Sequence, residues 1–411
     1  MTSVHRDPRH PFYWHAFFLA VTMSFTEVNT VMPALVMKAG GSLFAVGALT
    51  AIMLGLPLVS QLLFAGFLST RERKKPFLLL GINLRVVALA GAAYGIAAFG
   101  TDVRVIGVVF IAMTVFALSG AFAGVSYTAL VGTLVHSTQR RSFFVRRQVI
   151  TTLGLLLSAL LVRFLLGAAA FPDGYVLLFA LASGFLFVAS LGFWALAEPA
   201  ASTPGASRGT TMAALRQAPQ LLREDPNLRA LIGVANLAAL GFTSIPLITA
   251  LAYRSFELSA SAVGTFVVIQ IIGMLISSPV WNRLIRAGGF RLVLRAELAL
   301  IATLFPLALI LAQSAPLPAY AALYLLAGAI VAAQKIAIDG VLVQISPNDR
   351  RALYAGVFGA ANLGAAVLPL VTGAVAGAVG FTWVFLGASV VALLALLPLR
   401  GLSCGDWYHE A

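Results

Sequence analysis

The sequence predicts an all-α integral membrane protein of about twelve transmembrane helices arranged as two six-helix pseudo-repeats. Three observations predict it. Of the 411 residues, 60% are hydrophobic and 10% charged, with a mean hydropathy of +0.97, whereas a soluble domain carries about 25% charged residues. The apolar residues fall into runs of about twenty, the length at which a helix crosses a ~30 Å hydrocarbon core. Finally, short signatures of the first half recur in the second. Together these exclude a soluble enzyme tethered by a single anchor.

In order, the predicted spans are 12–37, 44–69, 76–99, 104–134, 147–170, 174–197, 227–252, 261–284, 290–313, 318–345, 351–378 and 380–400. The N-terminus, with His5, Arg6, Arg9 and His10, enters the first run without a small-residue cleavage site, so it reads as a retained helix rather than a signal peptide. Residues 1–197 form an N-terminal bundle and 227–411 a C-terminal one. Between them, 198–226 reads as a cytoplasmic linker with Pro199, Pro204, Gly205 and Gly209, followed by a weakly amphipathic stretch bearing Met212, Leu215 and Leu222.

The formal charge of +13 could point to nucleic acid, but its distribution points to topology. Twenty-one of the 27 basic residues lie in segments on one side of the predicted spans, and only Lys38, Arg104 and Arg254 lie on the other. Basic residues in short loops stay cytoplasmic. This puts both termini inside and the protein in the cytoplasmic (inner) membrane, with the basic face available to anionic lipid and no nucleic acid as partner. A monomer is expected. The single cysteine, Cys404, excludes a disulfide framework, and His5, His10, His15, His136 and His409 have no metal-ligand spacing. No Gly-rich phosphate loop is present, so no cofactor is expected and the energy source would be a proton gradient.

The densest basic cluster is Gly66–Leu78, GFLSTRERKKPFL, between the second and third spans. It resembles the loop motif of the major facilitator superfamily, through Gly66, Leu68, Ser69, Arg71, Lys74, Lys75 and Leu78. Thr70 stands where the family has Asp, and Arg73 where it has Gly. The repeat strengthens the resemblance. Thr30–Leu35 (TVMPAL) matches Thr243–Ile248 (TSIPLI) at an offset of 213, and Phe77 matches Phe290. At an offset of 210, Arg140-Arg141 matches Arg350-Arg351, Phe144 matches Tyr354, and Leu153-Gly154 matches Leu363-Gly364. Parallel halves of this kind are those of the superfamily. The resemblance implies two bundles flanking a central cavity that opens alternately to each side. It also implies a gating role for Gly66, Thr70, Arg71, Lys74 and Lys75, and a cavity lined by helices 1, 4, 7 and 10.

Residues that recur between halves read as architecture, and those that do not as candidates for chemistry. Glu27 pairs with Leu240 across the repeat. Fifteen positions after Phe12, it lies roughly 22 Å along the first helix, just past the midplane. A carboxylate there is costly when ionised and suits proton carriage; Ser24 and Thr30, at i−3 and i+3, share its face and are candidate substrate contacts. The alternative is a glutamate that only holds helices together. Arg163 lies at similar depth in the fifth helix and either pairs with Glu27, meets an anion or snorkels. Lys335 and Asp339 are at i, i+4 on the tenth helix, as an internal pair or as transport groups, with Asp339 a second proton candidate. Asn29, Gln61, Asn236, Gln270, Gln334 and Asn362 are candidate hydrogen-bonding groups for a small-molecule substrate. Arg295 and Glu297 read as a structural interfacial pair, and Arg85 of the third helix likewise as a structural interfacial residue. The fifth helix, TTLGLLLSALLVRFLLG, lacks the proline of the family's drug–proton antiporters, and Phe116 stands where the fourth-helix motif has arginine. The sequence therefore reads as a non-enzymatic secondary transporter of a small organic solute, proton-coupled, with a lean to efflux. The alternatives are an uptake symporter for an organic anion and a non-transporting receptor or assembly factor on the same fold.

Overall fold

The computed structural model describes residues 9–69, 71–135, 139–194, 196–198, 219–347 and 350–402. The described residues contain no strand. Eleven segments are long and apolar enough to cross a membrane. They are α1 (His10–Lys38), α2 (Leu43–Gln61), α3 (Lys75–Phe99), α4 (Arg104–Leu134), α5 (Ser142–Ala168), α6 (Asp173–Trp194), α7 (Pro226–Ser255), Ala260–Ser314, α10 (Leu317–Ile345), α11 (Leu353–Val379) and α12 (Phe381–Arg400). A straight helix over Ala260–Ser314 would run about 80 Å, more than twice the core thickness. Gly288 and Gly289 break it, the latter at φ 68°, a conformation that glycine adopts without steric cost. The limbs are α8 (260–287) and α9 (290–314), so the described residues hold twelve membrane-length segments, as the hydropathy predicts. Large side chains such as Leu63, Val87, Tyr94, Ile111, Phe164 and Trp383 remain exposed, as expected where the neighbour is lipid rather than water.

The chain groups into two compact units, residues 1–27 with 63–208, and residues 28–62 with 209–411. In the first unit, small residues let backbones meet. A Cβ at Gly154 of α5 would lie 2.8 Å from both the Ala20 Cβ and the Phe17 carbonyl of α1. Ser158 donates to the Val21 carbonyl, Trp14 Nε1 to Val188 O at 2.7 Å and Ser183 to Val86 O at 2.9 Å. Phe12 is fully buried against the rings of Tyr127, Phe143 and Phe193 at 5.3–5.9 Å.

The second unit gathers residues 28–62 of α1 and α2 with the C-terminal helices. A Cβ at Gly47 would fall on the Pro369 carbonyl, and one at Gly55 on Ala366, so α2 crosses α11 backbone to backbone. Serine and aspartate caps start several helices: Ser42 accepts from Ala45 N and Ser259 from Ala262 N, both at 3.2 Å, and Asp225 accepts from Asn227 N and Leu228 N.

Six of the described crossings are not continuous helices: α10 pauses at Ala322 and α12 at Ala395, and of the other four breaks three lie at or just before a proline. In α1, helix gives way to a 3-10 turn over Ser24–Thr26 and an extended Glu27, and resumes at Val31. Pro33 has no N–H for the Asn29 carbonyl four residues back. In α7, Thr243 and Ser244 interrupt before Pro246, the repeat partner of Pro33. In α2, residues Ala51–Gly55 widen to a π turn before Pro57, with Leu56 N reaching back to Ala51 O. In α11, Asn362 and Leu363 separate two helices.

Candidate functional site

The break in α1 puts a polar main chain at membrane depth, where each freed carbonyl needs a partner. The Asn29 carbonyl finds Thr249 Oγ1 at 2.6 Å. Thr249 Oγ1 also lies 2.5 Å from the Tyr324 hydroxyl. Since the threonine proton is committed to Asn29, Tyr324 donates to Thr249. Tyr324 is held by stacking on Phe266 at 4.4 Å and 12°, and Tyr320 donates to Ile248 O at 2.8 Å. All of these side chains are buried. Within the second unit, this relay ties α1, α7 and α10 together towards turns 39–42, 256–259 and 315–316, beside the α2–α11 crossing.

Glu27 sits in the unwound stretch itself, half-buried, with φ −65° and ψ 122°. The expectation that Ser24 and Thr30 share its face fails, because the helical spacing it relied on is absent there. Ser24 and Thr30 are nonetheless both buried, as is Asn29. The Ser24 hydroxyl makes no hydrogen bond among the described residues.

Asn236 is committed to architecture. Its amide nitrogen donates to Ile232 O and Ala361 O, both at 3.0 Å. Its carbonyl oxygen accepts from Gly364 N at 2.7 Å. It thereby satisfies the carbonyl and the amide freed on either side of the α11 break. Asn362, inside that break, and Gln334 of α10 each keep a buried side-chain oxygen without a hydrogen bond among the described residues. Gln270 is buried in α8, and Gln61 is exposed on α2.

Several expected pairings are absent. Lys335 and Asp339 are both exposed and form no ion pair, and Arg163 is exposed with no ion pair or hydrogen bond among the described residues. Arg295 and Glu297 are not an interfacial pair. Two residues apart, they face different sides of α9, Arg295 exposed and Glu297 fully buried, with neither carboxyl oxygen hydrogen-bonded. Arg85 is no interfacial residue either. It is 9% exposed, with its guanidinium 4.1 Å from the Phe116 ring.

In the gating loop Thr70 lies outside the described residues. The acid that organises the loop is Glu198, which sequence reasoning passed over as the first residue of the linker. Its carboxylate accepts from Lys74 N at 2.7 Å and Lys75 N at 2.9 Å, capping the start of α3. Lys75 Nζ returns the contact to Trp194 O and Leu196 O at the end of α6, both at 2.7 Å. Burial pulls the Lys74 ammonium below its usual pKa, partly offset by the Glu198 charge. Lys74 Nζ also donates to Leu68 O and Arg71 O, and Arg71 stacks 4.6 Å over Phe67. The available signal was a lone acid at a helix end beside a strongly basic turn.

Residues 230–403 match the family model described as Major Facilitator Superfamily. Among solved structures the chain is similar to the nucleoside transporter NupG, at 13% identity and TM-score 0.71, covering 97% of this chain and 100% of that one. It is also similar to a bacterial homolog of the human lysosomal transporter Spinster in an inward-facing, unoccupied conformation, at 13% identity and TM-score 0.67, covering 97% and 98%. No curated protein matches the chain.

Proposed function

We propose that this chain, whose residues 230–403 match the Major Facilitator Superfamily model, is a secondary active transporter of that superfamily, moving a small organic solute by alternating access, coupled to protons, with efflux favoured. The observation that carries this reading is the break in α1. Glu27 lies at the point where the first unit ends and residues 28–62 begin, and the carbonyl two residues on is held by Thr249 of α7. A titratable group at the root of a gate can link proton occupancy to gate position. The likeness to the two transporters is one of fold, so neither cargo is carried over.

Glu27→Gln tests the coupling. The expected result is loss of pH-gradient-driven flux in reconstituted vesicles with exchange at equal pH retained. Unchanged gradient-driven flux would refute the role. The charge asymmetry favours placing turns 39–42 and 256–259 outside. The two halves, 1–197 and 227–411, would be the moving bodies, with residues 28–62 exchanging partners between states. An introduced thiol at the exposed Asp173 should react with a membrane-impermeant reagent in intact cells. Reaction only after permeabilisation would reverse the assigned orientation.

A further inference from the structure

Among the described residues, the first unit carries two cations, Arg85 in its interior and Arg147 at its half-buried edge, that no carboxylate pairs with. Arg85 lies ten residues into α3, about 15 Å from its start and near mid-depth. It is buried, its Nε has no hydrogen bond, and no carboxylate pairs with it among the described residues. It rests on α4, stacked on Phe116 and 3.4 Å from where a Cβ of Gly120 would stand. Arg147 of α5 stacks 5.3 Å over Tyr127, and its buried Nε is likewise without a partner. Phe116, Gly120 and Tyr127 are spaced by four and seven residues, one face of α4. Buried His15 of α1 is within electrostatic reach of both cations. Its ring lies 6.0 Å from Tyr127 and 4.9 Å from Phe193, and its Nδ1 lies 3.4 Å from Ala189 O.

Of the described acids in this unit, Asp102 pairs with Arg104, Glu198 caps α3, Glu72 and Asp173 are exposed, and Glu27 lies in the α1 break. The isolated Glu297 of the second unit can become neutral by binding a proton. A guanidinium cannot discharge itself, so two of them in an apolar bundle call for an anion.

We propose that Arg85, Arg147 and His15, framed by Phe116 and Tyr127, form a binding site for the oxyanion group, carboxylate or phosphate, of an apolar organic anion. The site deepens the transport reading by naming the solute class, and rests on that reading for its physiological role. The guanidinium edges supply directional donors for a planar oxyanion, and the rings cover the apolar body.

The test uses the full-length protein in detergent, with benzoate as probe and benzamide as its uncharged isostere. Benzoate should raise the thermal unfolding midpoint of wild type and benzamide should not. Arg85→Gln should weaken benzoate binding at least tenfold by calorimetric titration, and Arg85→Lys should recover part of it. If Arg85→Gln does not fold, Arg147→Gln at the half-buried edge should show the same loss. Equal responses to benzoate and benzamide, or benzoate affinity unchanged in the folded variants, would overturn the proposal. Benzoate bound through Arg85 by a protein that moves no solute in vesicles refutes transport and leaves the site. Solute flux unaffected by Arg85→Gln refutes the site as a substrate site and leaves transport.

Discussion

Valine at Gly47 should force the α2–α11 crossing apart and reduce transport by about fivefold or more. A Cβ there overlaps the Pro369 carbonyl oxygen and stands 3.0 Å from its carbon and 3.1 Å from the Gly373 Cα. All three are main-chain atoms, so no rotamer change relieves the clash and the helices must separate. Overpacking of this kind costs about 1–3 kcal/mol, which shifts a two-state ratio roughly 5- to 150-fold. A transport cycle that needs this crossing closed would be trapped with it open, while the fold survives because each helix remains intact. Spin labels in turns 39–42 and 256–259 should report a wider distance, alongside lost flux. Wild-type distance and wild-type flux together would show that this crossing is no gate.

Alanine at Asn236 should produce the largest loss of stability among single polar substitutions in the second unit. The side chain closes two hydrogen bonds across the α11 break and a third to Ile232 O in its own helix. Its loss leaves the Ala361 carbonyl and the Gly364 amide unpaired at membrane depth, at a cost of about 2–4 kcal/mol. The unfolding midpoint in detergent should fall by several degrees without any solute present. Asn236→Asp keeps the acceptor for Gly364 but loses both donors and should fall between. A normal midpoint combined with weakened solute binding would return Asn236 to the substrate-contacting role that its position first suggested.

The fold was legible because its signals are one-dimensional. Apolar runs of bilayer length gave the twelve crossings, including the turn at Gly288–Gly289. The Pro33 and Pro246 repeat marked two of the places where helices break. The consequences of those breaks were not legible. Treating α1 as a continuous helix put Ser24, Glu27 and Thr30 on one face, whereas a missing N–H at Pro33 dissolves the spacing on which faces depend. The roles of Asn236 and Glu198 were hidden for a related reason. Each serves main-chain groups on a distant segment, and side-chain type alone does not reveal a main-chain partner. Arg85 was misread because depth along a helix is visible in sequence while azimuth is not, so a buried cation and an interfacial one look alike.

The two bends at the feet of residues 28–62 have a mechanical consequence. One foot is the unwound turn at Glu27, the other the widened turn at Ala51–Gly55. A straight α-helix resists bending because every turn is tied by hydrogen bonds to the next. At both feet those ties are already redirected, to Thr249 in one case and to the i−5 carbonyl in the other. The hairpin is therefore stiff along its length and compliant at its base, like a blade on a notched hinge. Swinging it would exchange one set of bonds for another rather than rupture a helix, and residues 31–50 would move as one lever. The Glu27 carboxylate is placed at the notch, where a change in its protonation would act with the greatest leverage.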